Sequence, residues 1–309
     1  MTCILQIGPL TEGINRGLAA EHEVLRFWET DADALVDQHA QRIEIVVTSG
    51  RFGCTGALIA RLPNLRAIIS FGVGYDAVDV AAARARNILV SNTPDVLNDC
   101  VADLAFGMII DCARQMSRAD RFVRAGEWLS GGVPPASRVS GKRLGIVGLG
   151  RIGETVAKRS SGFEMQVRYH NRRPVAGSCY DYEPNLIELA RWSDFLVLTC
   201  PGGESTRNLI NREVLDALGP KGTLINVARG TVVNEAALIE ALQTGRLGSA
   251  GLDVYAHEPK VPQALIDLPN VVLLPHIGSA TKETRLAMEE LLFANLHAFL
   301  ERGEVLTAV

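Results

Sequence analysis

Gly148-Leu149-Gly150-Arg151-Ile152-Gly153 is the most informative segment of this 309-residue chain. It follows the apolar run Leu144–Val147 and leads into Glu154–Arg159, so its glycines stand where a strand turns into a helix. The first glycine permits a tight turn, the second lets a pyrophosphate approach the backbone, and the third lets the helix pack on the strand. The same pattern also forms plain tight turns, but a further strand at Gln166–His170 favours a dinucleotide site.

The end of that further strand indicates which dinucleotide is bound. NAD-binding units usually carry Asp or Glu about 20 residues past the glycines, where it binds the ribose 2′-hydroxyl. Here Asn171, Arg172 and Arg173 take that place. Without a carboxylate to repel a 2′-phosphate, and with two guanidiniums to pair with it, the sequence favours NADP over NAD. The alternative is that both arginines merely face solvent.

Composition and charge exclude several classes of protein. Apolar residues make up 47% of the chain and charged residues 21%, an ordinary balance for a globular protein of this length. A net charge of −4 and a pI near 5.9 argue against a nucleic-acid surface. No apolar run approaches the roughly 20 residues that span a bilayer. We therefore expect no membrane and no nucleic-acid partner.

The cysteine pattern indicates a reducing compartment and no metal. No two cysteines form a CxxC pair, and no His/Cys cluster has zinc-ligand spacing. We therefore expect reduced thiols in a cytoplasmic protein. The six cysteines stand at positions 3, 54, 100, 112, 179 and 200.

Alternating strand and helix patterns predict two α/β domains with parallel sheets. Residues 1–95 hold the first set, including the buried strand Ile43–Val47. A long helical pattern over Val96–Arg114 leads into a second set that extends to residue 280. Arg118–Trp128 reads as helix, Gly248–Val254 as strand, and a terminal helix follows from Thr281.

Three segments that follow strands of the second domain carry candidate chemical groups. They are Asn226–Gly230 with Arg229, Gly251–Pro259 with Asp253 and Glu258, and Leu274–Thr281 with His276. The carboxyl ends of parallel strands share one edge of a sheet, so Arg229, Glu258 and His276 are predicted to meet near the glycine loop. Taken singly, each has a structural alternative as an ion-pair, turn or hydrogen-bonding residue.

At these segments the chain resembles the D-isomer-specific 2-hydroxyacid dehydrogenases over nearly its whole length. Within that family it looks most like the short NADPH-preferring glyoxylate/hydroxypyruvate reductases, which include the plant hydroxyphenylpyruvate reductases. The resemblance implies a split, flavodoxin-like substrate domain (1–95 and 281–309), a Rossmann-type dinucleotide-binding domain (96–280), and a homodimer joined through the cofactor domains. Matching segments are Ser70–Asp76, Ser91–Pro94, Gly141–Gly153, Asn226–Gly230, Gly251–Pro259 and Leu274–Thr281.

The activity implied by the resemblance is reduction of a small 2-keto acid to the D-2-hydroxy acid by hydride from NADPH. His276 donates the proton, Glu258 pairs with the other ring nitrogen and favours the imidazolium, and Arg229 binds the substrate carboxylate and polarises the keto oxygen. The implied cofactor-binding residues are Gly148, Leu149, Gly150, Arg151, Ile152, Gly153, Asn171, Arg172, Arg173, Cys200, Pro201, Val227, Ala228, Asp253 and Gly278.

The substrate pocket is less well specified. Backbone N–H groups around Val73 and Gly74 are expected to bind the substrate carboxylate. Arg51, after a strand end, is a further candidate. Trp128 lies in a segment that reaches the partner subunit's pocket in reductases of this kind, and core packing is its equal alternative.

Two other functions stay open from the sequence. A relative with the same catalytic set can act as a dinucleotide-sensing binding protein, although such relatives carry extended tails. A hydroxyphenylpyruvate-type reductase would instead accept bulkier 2-keto acids. Two departures from the family pattern narrow the choice. The missing acid after the second cofactor strand favours NADP over NAD, and the lack of a regulatory extension argues against a phosphoglycerate dehydrogenase.

Overall fold

The computed structural model describes residues 2–309 and divides the chain into two compact units. One unit comprises the residues up to Leu97 together with Thr281–Val309, and the other comprises Asn98–Ala280. The assignment of substrate to the first and dinucleotide to the second stays a prediction from the sequence. Each unit is built on its own parallel sheet.

The first unit contains a five-stranded sheet in the order β2-β1-β3-β4-β5. This is the order of flavodoxin-like folds. The central strand β3 is buried at six of its seven positions, which fits an apolar run covered by helices on both faces. Its strands are β1 Cys3–Gln6, β2 Glu23–Arg26, β3 Ile43–Ser49, β4 Ala67–Phe71 and β5 Leu89–Ser91. Its helices are α1 Glu12–Glu21, α2 Ala32–His39, α3 Gly56–Arg61, α4 Val80–Ala85 and α12 Lys282–Arg302.

The second unit contains a seven-stranded parallel sheet in the order β12-β11-β10-β9-β6-β7-β8. Counted from its own first strand, this is the Rossmann order 3-2-1-4-5-6 with a seventh strand added. The predicted pair of doubly wound parallel sheets is confirmed. Its strands are β6 Arg143–Val147, β7 Gln166–His170, β8 Asp181–Tyr182, β9 Phe195–Leu198, β10 Thr223–Asn226, β11 Ser249–Leu252 and β12 Val271–Leu273. Its helices are α5 Asn98–Arg114, α6 Met116–Arg124, α7 Arg151–Ser160, α8 Leu186–Trp192, α9 Arg212–Leu218, α10 Glu235–Gln243 and α11 Gln263–Ile266.

Most helices begin at a residue whose side chain caps the first turn. Thr11, for example, accepts from Ile14 N at the start of α1, and Thr281 accepts from Thr284 N at the start of α12. Such caps satisfy N–H groups that the helix itself leaves unpaired. Helix α7 differs, because its cap is Gly150 and no side chain covers its first N–H groups.

The structure corrects two predicted elements. Helix α6 ends at Arg124 rather than at Trp128, because Gly126 adopts a left-handed φ of +75° and only a short 3-10 turn, Glu127–Ser130, follows. Strand β11 ends at Leu252 rather than at Val254. Within residues 2–309, no helix combines the length and the apolar character needed to cross a membrane.

Candidate active site

The glycine loop after β6 is shaped by backbone contacts that a side chain would block. A Cβ on Gly148, which has φ +100°, would lie 2.5 Å from Cys200 N, and one on Gly153 would lie 2.3 Å from Gly148 O. Both distances are far below van der Waals contact, so these positions require glycine. At Gly150 a Cβ would meet open space. The loop therefore packs tightly at its ends and leaves its middle open at the uncapped start of α7, as a pyrophosphate site requires.

The end of β7 is tied to this loop by Asn171. The Leu149 N–H donates to Asn171 Oδ1 at 2.7 Å, and Asn171 Nδ2 donates back to Leu149 O at 3.3 Å. The next two residues, Arg172 and Arg173, are exposed and have no ion-pair partner within residues 2–309. Two uncompensated guanidiniums beside a dinucleotide loop form a local positive site suited to a phosphate group.

The predicted catalytic carboxylate and imidazole lie in direct contact. Glu258 Oε2 and His276 Nδ1 are 2.7 Å apart, which is the length of a charge-assisted hydrogen bond. The His276 side chain is 44% exposed and that of Glu258 20% exposed. Burial raises the pKa of Glu258, but the hydrogen bond and charge of His276 outweigh it and lower that pKa overall. Glu258 is therefore a carboxylate at neutral pH, and His276 Nε2 is left for another partner.

Tyr255, which the sequence reasoning did not single out, holds this pair on the sheet. Its single hydroxyl proton is shared between Leu252 O at 3.2 Å and Leu274 O at 2.9 Å, so it bridges the ends of β11 and β12. Its backbone N–H donates to Glu258 Oε1 at 3.2 Å. Burial raises the pKa of Tyr255 to about 12, so the hydroxyl remains a donor at neutral pH. The sequence feature that could have indicated this role is a tyrosine in the same strand-end loop as Glu258.

Asp253 fixes the backbone that carries His276. This carboxylate is 1% exposed, and its two oxygens accept from Ile277 N at 2.7 Å and Gly278 N at 2.8 Å. His276 itself adopts a left-handed φ of +56°, which a non-glycine residue rarely takes without support. Asp253 therefore stabilises an unfavourable backbone turn at the imidazole.

Arg229 lies on the same edge of the second sheet, which is formed by the loops after β10, β11 and β12 and which we call the rim. Buried Asn226 holds its loop by accepting from Ala228 N at 3.0 Å and donating to Arg229 O at 3.0 Å. A Cβ on Gly230 would lie 1.8 Å from the carbonyl carbon of Tyr255, so the two loops touch through their backbones. The positive charge of Arg229 also contributes to lowering the pKa of Glu258.

The structure thus brings the three predicted catalytic residues to one edge of the second sheet. They follow β10, β11 and β12, and the glycine loop follows β6 of the same parallel sheet. Cys200 and Gly278 also belong to this edge, through their contacts with Gly148 and Asp253. Burial raises the pKa of the Cys200 thiol to about 11, which leaves it inert at neutral pH.

The remaining predicted site residues belong to several other segments of the two units. Val73 and Gly74 lie in the loop after β4 of the first unit, where Asn92 Nδ2 donates to Val73 O at 2.8 Å. Arg51 is exposed and its guanidinium lies 5.6 Å from the centre of the Phe52 ring. Trp128 is 67% exposed. Pro201 is exposed, Val227 half-buried, and Ala228 buried.

Within the described residues, no group of three or more His, Cys, Asp or Glu side chains is arranged to hold a metal ion. The rim carries an imidazole, a carboxylate and a guanidinium. Such a set can protonate an oxygen and bind a carboxylate.

Comparisons with known proteins identify the family of the chain. Residues 106–278 match the family model described as D-isomer specific 2-hydroxyacid dehydrogenase, NAD binding domain. The chain is 44% identical over 307 residues to glyoxylate/hydroxypyruvate reductase A of Arabidopsis thaliana, covering 99% of this chain and 98% of the relative. It is also 44% identical over 308 residues to hydroxyphenylpyruvate reductase of Plectranthus scutellarioides, with the same coverage.

A solved structure is similarly close. The NADPH-dependent glyoxylate/hydroxypyruvate reductase of Sinorhizobium meliloti, in complex with NADP and malonate, superposes with a TM-score of 0.93 at 43% identity. The alignment covers 100% of this chain and 96% of that one.

Proposed function

Since the chain belongs to the D-isomer-specific 2-hydroxyacid dehydrogenase family, we propose that it reduces a small 2-keto acid of the glyoxylate and hydroxypyruvate class to the D-2-hydroxy acid, with NADPH as cofactor. The chain is an oxidoreductase with a dinucleotide-binding domain. The observation that carries the proposal is the contact between Glu258 and His276 on the rim that also holds Arg229. This is a proton donor next to an anion-binding group, at the edge that carries the dinucleotide loop.

The residues present fit NADPH. The open space at Gly150 and the uncapped start of α7 would receive the pyrophosphate, and Arg172 and Arg173 would pair with the 2′-phosphate. Asn171 introduces no negative charge, and its side chain is occupied by Leu149. When bound, the cofactor supplies the hydride that is added to the carbonyl carbon. The preference for NADPH over NADH rests on the two unpaired guanidiniums.

His276 supplies the proton that the developing alkoxide needs. Its Nδ1 is bonded to Glu258, so Nε2 carries the transferable proton when the ring is charged. Because the pKa of Glu258 is lowered, its carboxylate stays charged, fixes the orientation of the ring and stabilises the imidazolium before transfer. General acid catalysis of this kind contributes roughly 10²- to 10⁴-fold to a rate.

Arg229 binds the substrate carboxylate and polarises the keto oxygen. A guanidinium presents parallel N–H donors that match a carboxylate, and its charge stabilises the oxygen as negative charge develops. The family resemblance assigns the backbone N–H groups of Val73 and Gly74 to the same carboxylate, and the partner subunit's copy of Trp128 to the pocket. Arg51 is a further pocket candidate because of its position after a strand end of the first unit.

Asp253 has two roles in this proposal. It holds the His276 loop through Ile277 and Gly278, and each of its oxygens keeps a second lone pair. That capacity would let Asp253 also accept a hydrogen bond from the nicotinamide carboxamide, as the family resemblance implies, which would fix the face of the ring.

The proposed assembly is a homodimer joined through the second unit. The segment from residue 116 to 133 exposes several apolar side chains, which an interface would cover. They are Met116, Val123, Trp128, Leu129 and Val133. We also propose a cytoplasmic location, which is supported by six cysteines that are all free thiols.

The test is a substrate panel with the purified protein. NADPH oxidation is followed at 340 nm with glyoxylate, hydroxypyruvate and 4-hydroxyphenylpyruvate, and each is repeated with NADH. Turnover with the small keto acids, faster with NADPH, supports the proposal. Turnover confined to 4-hydroxyphenylpyruvate would shift the substrate to bulkier acids, and tight NADPH binding without any turnover would favour dinucleotide sensing.

A further inference from the structure

A segment after the last helix covers the outer edge of the first sheet. We call Leu306–Val309 the edge segment. Strand β5 is the outermost strand, and beside it Val309 N donates to Val90 O at 3.0 Å while Asn92 N donates to Thr307 O at 3.3 Å. An outer strand otherwise leaves backbone groups unpaired. The edge segment therefore extends the sheet by a short, antiparallel pairing.

One buried side chain holds the edge segment to helix α12. Asn295 is 0% exposed, and its Oδ1 accepts from Leu306 N at 2.9 Å and Thr307 N at 3.1 Å. Its Nδ2 donates to Leu291 O at 2.8 Å and to Thr307 Oγ1 at 2.9 Å. Every polar atom of this side chain is used, so Thr307 is held in one position.

Thr307 is hydrogen-bonded to Asn92, and Asn92 is hydrogen-bonded to the loop after β4. The Thr307 hydroxyl donates to Asn92 O at 2.6 Å. Asn92 is 6% exposed, and its Nδ2 donates to Val73 O at 2.8 Å. The neighbouring Thr93 reinforces the loop, because its hydroxyl accepts from Gly72 N at 2.9 Å and its N–H donates to Gly72 O at 2.9 Å.

We propose that Asn92 and Thr307 are positioning residues for the 2-keto acid, which act through the peptide between Val73 and Gly74. A peptide unit is planar, so a bond that fixes the Val73 carbonyl also fixes the direction of the Gly74 N–H on the opposite side of the same plane. The loop needs such a tether, since Gly72 has a φ of +119° and a Cβ at that position would meet only open space. The inference rests on the proposed function, which assigns the Gly74 N–H to the substrate carboxylate.

The test combines amide hydrogen exchange with kinetics. Thr307→Val removes the hydroxyl but keeps the side-chain shape, Thr307→Ser restores a hydroxyl, and Asn92→Ala removes the amide. A matched control is Thr11→Ala, which removes a helix cap in the same unit. It leaves intact the hydrogen-bond relay that runs from Thr307 through Asn92 to Val73. We expect Thr307→Val and Asn92→Ala to accelerate exchange in the segment 72–76 about tenfold, with strand β1 unchanged. They should raise KM for glyoxylate about tenfold, with kcat within threefold and the Kd for NADPH within twofold.

A merely structural role gives a different pattern. In that case Thr307→Val and Thr11→Ala both lower the unfolding midpoint in urea, and neither changes KM. Faster exchange at an unchanged KM would overturn the proposal, because the loop would be tethered without serving the substrate. A raised KM without faster exchange would also overturn it. Recovery of both values in Thr307→Ser is expected, and if Asn92→Ala does not fold, the two Thr307 variants carry the same test.

The wild-type protein separates this inference from the proposed function. If it turns over no 2-keto acid, the proposed function fails and the substrate role of the relay fails with it. If it turns over glyoxylate and the Thr307→Val protein has the same KM and the same exchange, only the relay is refuted.

Discussion

Replacing Arg172 by aspartate should weaken NADPH binding about a hundredfold and leave NADH binding within about threefold. A charge-assisted hydrogen bond contributes about 1.5–3 kcal/mol, and the exposure of Arg172 favours the lower end. A carboxylate within about 4 Å of a dianionic phosphate adds roughly 1–2 kcal/mol of repulsion in surroundings like water. The sum of about 3 kcal/mol corresponds to two factors of ten in Kd.

The assay is isothermal titration of the protein with NADPH and with NADH, in the absence of any keto acid. The matched control is Arg191→Asp, which makes the same change of charge at an exposed arginine that pairs with Glu188. The NADPH deficit of the Arg172 variant should shrink between about 0.1 M and 1 M salt, because the Debye length falls from about 10 Å to 3 Å. Equal losses for the two cofactors would refute the pairing of Arg172 with the 2′-phosphate.

Three further predictions follow from the contacts of single carboxylates. Glu258→Gln removes the charge beside His276 and should lower kcat about 10- to 100-fold with NADPH affinity unchanged. The reason is that about 1.5–3 kcal/mol of charge-assisted hydrogen bonding is lost. An unchanged kcat in steady-state assays would contradict this prediction. Asp253→Asn leaves one acceptor oxygen for the N–H donors of Ile277 and Gly278, so it should cost about 1–3 kcal/mol in urea unfolding and lower kcat. Wild-type values for both would exclude the role of Asp253 in holding the His276 loop. Burial raises the pKa of Asp194, but its hydrogen bonds with Arg143 outweigh burial and lower that pKa overall. The Asp194 carboxylate therefore stabilises the fold at pH values above its ordinary pKa of 3.8, and this stabilisation is lost as the pH falls below that value. Asp194→Asn should therefore cost about 1 kcal/mol in urea unfolding at pH 7, and a deficit that stays constant down to pH 3 would contradict this.

The placement of the glycine loop and of the rim residues could be predicted because both depend on local sequence followed by sheet geometry. The spacing of Gly148, Gly150 and Gly153 encodes a strand, a turn and a helix within a few residues. Parallel strands then bring the loops after β10, β11 and β12 to one edge, so Arg229 and His276 are predictable as neighbours of that edge even though they lie far apart in sequence.

Other features depend on contacts that no local pattern encodes. Thr307 and Asn92 are 215 residues apart in sequence, and nothing near either one indicates the other. The sequence places Tyr255 near Glu258 in one loop, but it does not show that the tyrosine hydroxyl bridges two strand ends. Helix α6 was predicted too long because helical periodicity continues past Gly126, whose left-handed backbone ends the helix.

The most direct test of the central claim, that His276 is the proton donor of a 2-keto acid reductase, is a single-turnover experiment on His276→Ala. Enzyme saturated with NADPH is mixed with glyoxylate, and the loss of absorbance at 340 nm is compared with that of the wild-type protein. We predict a rate about 10²- to 10⁴-fold lower, with the Kd for NADPH within about twofold. A rate within about threefold of wild type would show that the proton comes from another group and would contradict the account.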